Sequence, residues 1–233
     1  MDIAILYSGG KDSTYAIDFA KSKGWNVKYL LSVKPTRTDC YCFHYATVEN
    51  TPLLAQQLGI PHHLISCDVA DSTKEAELIK EFVLTHEKVN AVVLGGTGLQ
   101  QTQIGAIQKA LQPFHVEVFA AHAGLEHDEV MQEMVNKGYK FMITQVASDG
   151  LGEDWLGFEI NKESLPVLLK QSRKFGFHSG GEGGYYDTFT IDGPLFDKKV
   201  LVTKYDVKME DHYSGHIVIK EAELVAKVPE LIR

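Results

Sequence analysis

Ile3-Ala4-Ile5-Leu6-Tyr7-Ser8-Gly9-Gly10-Lys11-Asp12-Ser13-Thr14-Tyr15-Ala16 is the stretch that decides the fold of this chain. Ile3–Tyr7 is a short unbroken apolar run, which reads as a strand buried on both faces. From Asp12 to Lys23, Tyr15, Ala16, Phe19 and Ala20 fall on one helical face, and Gly24 ends the run. Ser8-Gly9-Gly10-Lys11-Asp12-Ser13 joins the two. Paired glycines reach backbone conformations closed to residues with a Cβ and let the chain approach an anion closely. The helix start behind them offers unpaired N–H groups and a partial charge of about half a proton. Ser8 and Ser13 add hydroxyls, and Lys11 adds a positive charge if it faces the loop. Asp12 is read as a helix cap or as a holder of Mg²⁺ beside phosphates. A plain Gly-Gly turn capped by Asp12 or Ser13 is the plainer alternative. The complete string in a strand-to-helix turn favours a phosphate cradle. Neither the Walker A spacing nor the Gly-x-Gly-x-x-Gly fingerprint is present.

Downstream, strands and helices alternate. Val27–Val33, His63–Cys67, Ala91–Leu94, Val116–Phe119 and Phe141–Val146 read as strands. Thr51–Leu58, Lys74–Glu87, Thr102–Leu111 and His127–Lys137 read as helices. That alternation indicates an α/β fold with a doubly wound parallel sheet. After Ala147 the character changes: glycines cluster at 180, 181, 183 and 184, and Phe189–Ile191, Lys199–Tyr205 and His216–Ile219 read as turn-linked strands. The expected division is a nucleotide half at 1–125 and a smaller α+β half at 126–233 that completes the substrate site.

Composition narrows the function classes. The 233 residues are 44% hydrophobic and 23% charged, as in an ordinary globular protein. A formal charge of −8 argues against a broad nucleic-acid-binding surface. No apolar run is long enough to span a bilayer, and the start lacks the basic flank of a signal peptide. Three cysteines suggest no disulfide framework. The expected compartment is the cytoplasm, and base rates make a symmetric dimer the default assembly.

The Ser8–Ser13 string resembles the pyrophosphate loop of the N-type ATP pyrophosphatases. Adding His44, Leu58-Gly59-Ile60-Pro61, Trp155-Leu156-Gly157, Gly181-Glu182-Gly183-Gly184 with Asp187-Thr188-Phe189, and Asp192-Gly193-Pro194-Leu195-Phe196, the chain from about Ile3 to about Leu224 resembles the diphthine–ammonia ligase family. The resemblance implies an adenine-nucleotide α-hydrolase-like, Rossmann-like domain. It also implies ATP and Mg²⁺ as cofactors and ammonium as the nitrogen source. The implied reaction adenylates a carboxylate, releases pyrophosphate and AMP, and makes the amide of diphthine on translation elongation factor two. The resemblance places Ser8, Gly9, Gly10, Lys11, Asp12, Ser13 and His44 at the nucleotide. Glu182, Gly183, Gly184, Asp187 and Thr188 fall at the acceptor, with Lys11, Asp12 and Glu182 as the catalytic set.

Several positions depart from the family pattern: the aromatic expected near the end of the Val116–Phe119 strand is replaced around His122-Ala123, arginines are missing after Gly95-Gly96, and three changes fall in the acceptor half. Tyr185 stands where Glu is usual, Asp187 shortens another Glu, and Phe158 follows Trp155-Leu156-Gly157 in place of Arg. They leave open another acceptor for the same chemistry, or a nucleotide sensor without turnover. Gly95, at the carboxyl end of a strand, is expected near the ribose or α-phosphate, against a tight turn with no ligand. The backbone at Ser32 and Val33 is expected at the adenine edge. Cys40, Cys42 and His44 alternate on one side of an extended segment, and a metal set would take its fourth ligand from Cys67 or His62-His63; the alternative is that the thiols serve as small hydrophobes, as buried thiols usually do. Gln100–Gln103 reads as a solvated helix start, and His122 and His127 as surface residues.

Overall fold

The computed structural model of the chain describes residues 1–36, 47–69, 71–98 and 101–227. Its first sheet comprises β1 (Asp2–Leu6), β2 (Asn26–Pro35), β3 (His62–Cys67), β4 (Ala91–Leu94) and β5 (Glu117–Ala120). The strands run in the order β3-β2-β1-β4-β5, with every pairing parallel. Helices α1 (Lys11–Ser22), α2 (Thr51–Leu58), α3 (Ser72–Thr85) and α4 (Gln101–Leu111) make the connections. Period-two alternation sends Ile3, Ile5 and Tyr7 into a core with Ile17, Leu30 and Leu54 on one face. Ala4 and Leu6 enter a second core with Ile79, Val92 and Ile107 on the other. Both faces are covered, which is why these strands are apolar throughout. The chain moves outward from β1 to β2 and β3, then returns to place β4 on the other side of β1. The carboxyl ends of β1 and β4 therefore flank the topological switch point, where open α/β sheets hold their ligands.

A second, antiparallel sheet follows α5 (His127–Asn136). It contains β6 (Lys140–Ala147), the short β7 (Glu159–Ile160), β8 (Tyr186–Asp192), β9 (Lys198–Met209) and β10 (Ser214–Ala226), with α6 (Leu165–Phe175) between β7 and β8. β6 pairs with β8, and with β7 and β10 at different points along its length; β9 pairs with β10 in a long hairpin. β8 ties the two sheets together. Phe189 is fully buried in the core beneath β1, beside Phe196 and Val200.

Most elements lie within two residues of their expected bounds. β9 and β10 run further, because cross-strand hydrogen bonding carries them through polar residues such as Lys204, Asp206 and Glu221 that carry no apolar signal. α6 has no counterpart among the sequence expectations. Its signal was present: Pro166 in the first turn, Leu165, Leu168, Leu169 and Ser172 at helical spacing, and left-handed Gly176 closing the end. Among the described residues no helix is long and apolar enough to cross a membrane.

Candidate active site

The loop after β1 is held by its own side chains. Gly9 has φ +77°, and a Cβ there would lie 3.1 Å from Thr51 Cγ2 and 3.2 Å from Leu54 Cδ1, so α2 packs directly under the turn. The Ser13 hydroxyl accepts the Ser8 N–H at 3.2 Å and donates to the Gly10 carbonyl, while the Ser8 hydroxyl accepts the Gly10 N–H at 3.3 Å. Helix α1 begins at Lys11 with Gly10 as N-cap and no side-chain cap. Asp12 is therefore not the cap. Its carboxylate instead takes the Lys11 Nζ at 2.6 Å, leaving Oδ1 buried and without a hydrogen bond.

β8 completes the loop from the far end of the chain. The Lys11 N–H donates to Thr188 Oγ1 at 3.1 Å, and the Thr190 N–H donates to the Gly9 carbonyl at 2.9 Å. Thr190 Oγ1 also bonds Thr14 Oγ1, which faces the Tyr7 hydroxyl. Thr188, expected at the acceptor, thus has its side chain committed to the phosphate loop.

Gly95 lies against the start of α1. A Cβ at Gly95 would stand 2.4 Å from the Asp12 carbonyl carbon and 2.4 Å from the Ser13 nitrogen. Beyond it, the Thr97 N–H and hydroxyl donate to Glu182 Oε1 at 2.5 and 2.9 Å. The Gly96 carbonyl accepts the His122 N–H at 3.1 Å. Gly95–Thr97 therefore touches the phosphate loop, the His122 backbone and the Glu182 carboxylate together. The loop carrying Glu182 is no surface turn: the residue is 6% exposed, and its neighbours Gly181, Gly183 and Gly184 all have positive φ.

On the β2 side, the Tyr7 N–H bonds the Leu31 carbonyl, after which β1 ends. Strand alternation then turns the Val33 N–H and C=O toward the space β1 has vacated. Ser32 is buried, with its hydroxyl donating to the Tyr7 carbonyl at 2.5 Å and meeting His62 Nε2 at 2.8 Å.

His122 and His127 correct the expectation of surface histidines. They are 3% and 7% exposed. His122 stacks on Tyr15 with ring centroids 4.9 Å apart, and His127 lies edge-on to His178 at 4.4 Å. His122 lies in the turn after β5, where no periodicity marks it, whereas His127 opens α5 and shares its buried face with Val130, Met131 and Met134, a helical spacing that was present in the sequence. Gln103 likewise is buried rather than solvated. Cys67 is a buried thiol donating to the Val69 carbonyl at 3.4 Å. Cys40, Cys42 and His44 lie outside the described residues. Among the described residues no His, Cys, Asp and Glu cluster is arranged to hold a metal.

The electrostatics follow from this packing. Burial works against ionisation of Asp12, yet the Lys11 ammonium holds its carboxyl below the usual value. Burial first, and Lys11 second, depress His127 to about 3; burial likewise lowers His122. Both rings are neutral at neutral pH. Burial raises the Tyr186 phenol well above its ordinary range, so it stays a donor, bonding the Ser179 carbonyl at 2.5 Å. The site thus combines the Lys11–Asp12 ion pair and the Glu182 carboxylate with several uncharged donors and acceptors.

Phe158 and Tyr185, two of the positions that depart from the family pattern, pack against the core of the second sheet. Asp187 sits on β8 opposite Gln145.

Comparison with known proteins places the sequence in a family. Residues 1–112 match the sequence model described as "Diphthamide synthase N-terminal domain", and residues 126–225 match "Diphthamide synthase C-terminal domain". The chain is 27% identical over 230 residues to the diphthine–ammonia ligase of Mus musculus, covering 90% of this chain and 85% of the relative. The Homo sapiens protein of that name is 27% identical over 253 residues, covering 99% and 90%. In the Schizosaccharomyces pombe protein of that name, 27% identity covers 97% of this chain but 40% of the relative. With both halves matched and the phosphate loop, Gly95–Thr97 and Glu182 brought together at the switch point, the chain belongs to the diphthamide synthase family.

Proposed function

We propose that the chain is an ATP-dependent, AMP- and pyrophosphate-forming amide ligase that adenylates a carboxylate for attack by ammonia, converting diphthine to diphthamide on translation elongation factor two. The observation that carries this reading is the Ser8–Ser13 loop at the switch-point crevice, tied to β8, with the Glu182 carboxylate held on Thr97 two residues beyond the contact between Gly95 and the loop.

In this mechanism Ser8, Gly9, Gly10, Lys11 and Ser13 hold the ATP phosphates through the two serine hydroxyls, the positive end of α1 and the Lys11 charge. The buried, unpartnered Asp12 Oδ1 fits a hard cation and would hold Mg²⁺, which supplies charge neutralisation at the phosphates when bound. Val33 reads the adenine edge through its backbone beside Ser32, and Gly95 borders the ribose or α-phosphate. Glu182, Gly183, Gly184 and Asp187 shape the acceptor side. Residues 1–125 act as the nucleotide half and 126–233 as the acceptor half, in a cytoplasmic enzyme. A carboxylate oxygen attacks the α-phosphorus, and the bond to the β-phosphate oxygen breaks with its electron pair leaving on pyrophosphate. An ionised carboxylate needs no general base for this step, so catalysis is positioning and electrostatic stabilisation.

A second reading keeps the chemistry and changes the acceptor, and the core-packed Phe158 and Tyr185 favour it, because both remove charge from the acceptor half. Pyrophosphate release from Mg·ATP and ammonium, with and without diphthine-bearing elongation factor, separates the two. Factor-dependent pyrophosphate and AMP, lost in Asp12→Ala, support amide ligation on that factor. Tight ATP binding without turnover removes the diphthine assignment and points to another acceptor or to a sensor.

A further inference from the structure

The histidines beside Glu182 are not used in the adenylation step, and their state is costly. Both ring nitrogens of His122, both of His127 and Nδ1 of His178 are buried without a hydrogen-bond partner. A buried polar group left unpaired is destabilising, so several in one place mark a position suited to a small polar ligand. The location is defined by contacts already described. His127 Nδ1 is 3.4 Å from Glu182 Oε1, too poorly aligned for a hydrogen bond, and Glu182 is anchored on Thr97. The His122 backbone is anchored on Gly96, one residue beyond the contact between Gly95 and the phosphate loop.

We propose that the His122 and His127 imidazoles, backed by Glu182, form the pocket that holds the ammonia nucleophile beside the nucleotide phosphates. This rests on the amide-ligase reading above. The chemistry selects the ligand. The pocket offers ring-nitrogen acceptors, which suit an N–H donor. His122 and His127 are 3% and 7% exposed, so a bulky acceptor side chain does not reach their ring nitrogens from solvent, whereas a ligand as small as ammonia can. No metal-ligating cluster is formed among the described residues. Ammonium has no lone pair to attack with, so it gives one proton to solvent and reacts as NH₃, and the Lys11 ammonium offsets the attraction of the Asp12 and Glu182 carboxylates for a cation. When that lone pair forms the C–N bond, the acyl C–O bond breaks and its electron pair leaves on AMP. The proton then lost from nitrogen passes to an imidazole nitrogen.

The test uses the full chain with Mg²⁺ and a non-cleavable ATP analogue. Imidazole NMR resonances are followed while ammonium chloride, or potassium chloride as control, is titrated at pH 8. The expected result is a saturable shift of the His122 and His127 signals with ammonium alone, absent in His127→Ala. In turnover, His127→Ala should raise KM for ammonium about tenfold or more while KM for ATP stays within about twofold. His127→Asn, which keeps a polar group, should recover part of that loss and guards against a folding defect. An ammonium-specific shift without amide formation keeps the pocket and removes the ligase reading. Amide formation with no ammonium-dependent shift, or equal rises in both KM values, overturns the pocket.

Discussion

At the scale of the residue, Gly95 makes the sharpest prediction. A methyl group there would stand 2.4 Å from two backbone atoms of α1, which cannot yield as a side chain would. Gly95→Ala should displace the loop and weaken ATP binding at least tenfold, about 1.4 kcal/mol, as measured by calorimetric titration; wild-type affinity would show that the close approach is not needed. Thr188→Val keeps the shape of the side chain and removes the acceptor for the Lys11 N–H. The buried donor left behind should cost about 1–3 kcal/mol of stability, read as a lowered urea midpoint with loss of ATP affinity. The loop itself was legible as a motif, since its meaning comes from eleven neighbouring residues, Ile3 to Ser13. The partners of the loop were not: Thr188 is 177 positions away, and nothing local to it marks a hydroxyl that serves Lys11.

At the scale of the element, the parallel strands were readable because burial on both faces makes them apolar without interruption. The long β9–β10 hairpin was readable only in its apolar middle, and the remainder exists because each strand supplies the other's hydrogen bonds. Helix α6 shows how an amphipathic helix escapes notice when glycine-rich sequence follows it. Leu168 is fully buried in the core of the second sheet. Leu168→Ala should destabilise the protein by about 2–5 kcal/mol on thermal or urea unfolding. Because α6 touches none of the loop's hydrogen bonds, ATP affinity of the folded variant should stay within about twofold. A large loss of affinity at unchanged stability would place α6 in the site instead.

At the scale of the whole molecule, acid is the condition that exposes the buried histidines. His127 and His62 are depressed to about 3 and about 4, in both cases chiefly by burial. In the unfolded chain both take a proton near pH 6.5, whereas the folded protein refuses it. Stability is therefore full above about pH 6.5 and declines as pH falls toward 4 and then 3. The urea midpoint should fall between pH 7.5 and 4.5, and His127→Asn should flatten that decline. A midpoint unchanged over the range would mean the two rings titrate normally. The loop's dependence on β8 reaches further still, into synthesis. The cradle is translated almost at once, yet its last clamps, Thr188 and Thr190, follow some 177 residues later. At about 5–20 residues per second the ribosome needs roughly 10–35 s to supply them. Through that interval the nascent loop lacks its two β8 partners, so on the ATP reading proposed above nucleotide capture would wait until the second sheet has docked.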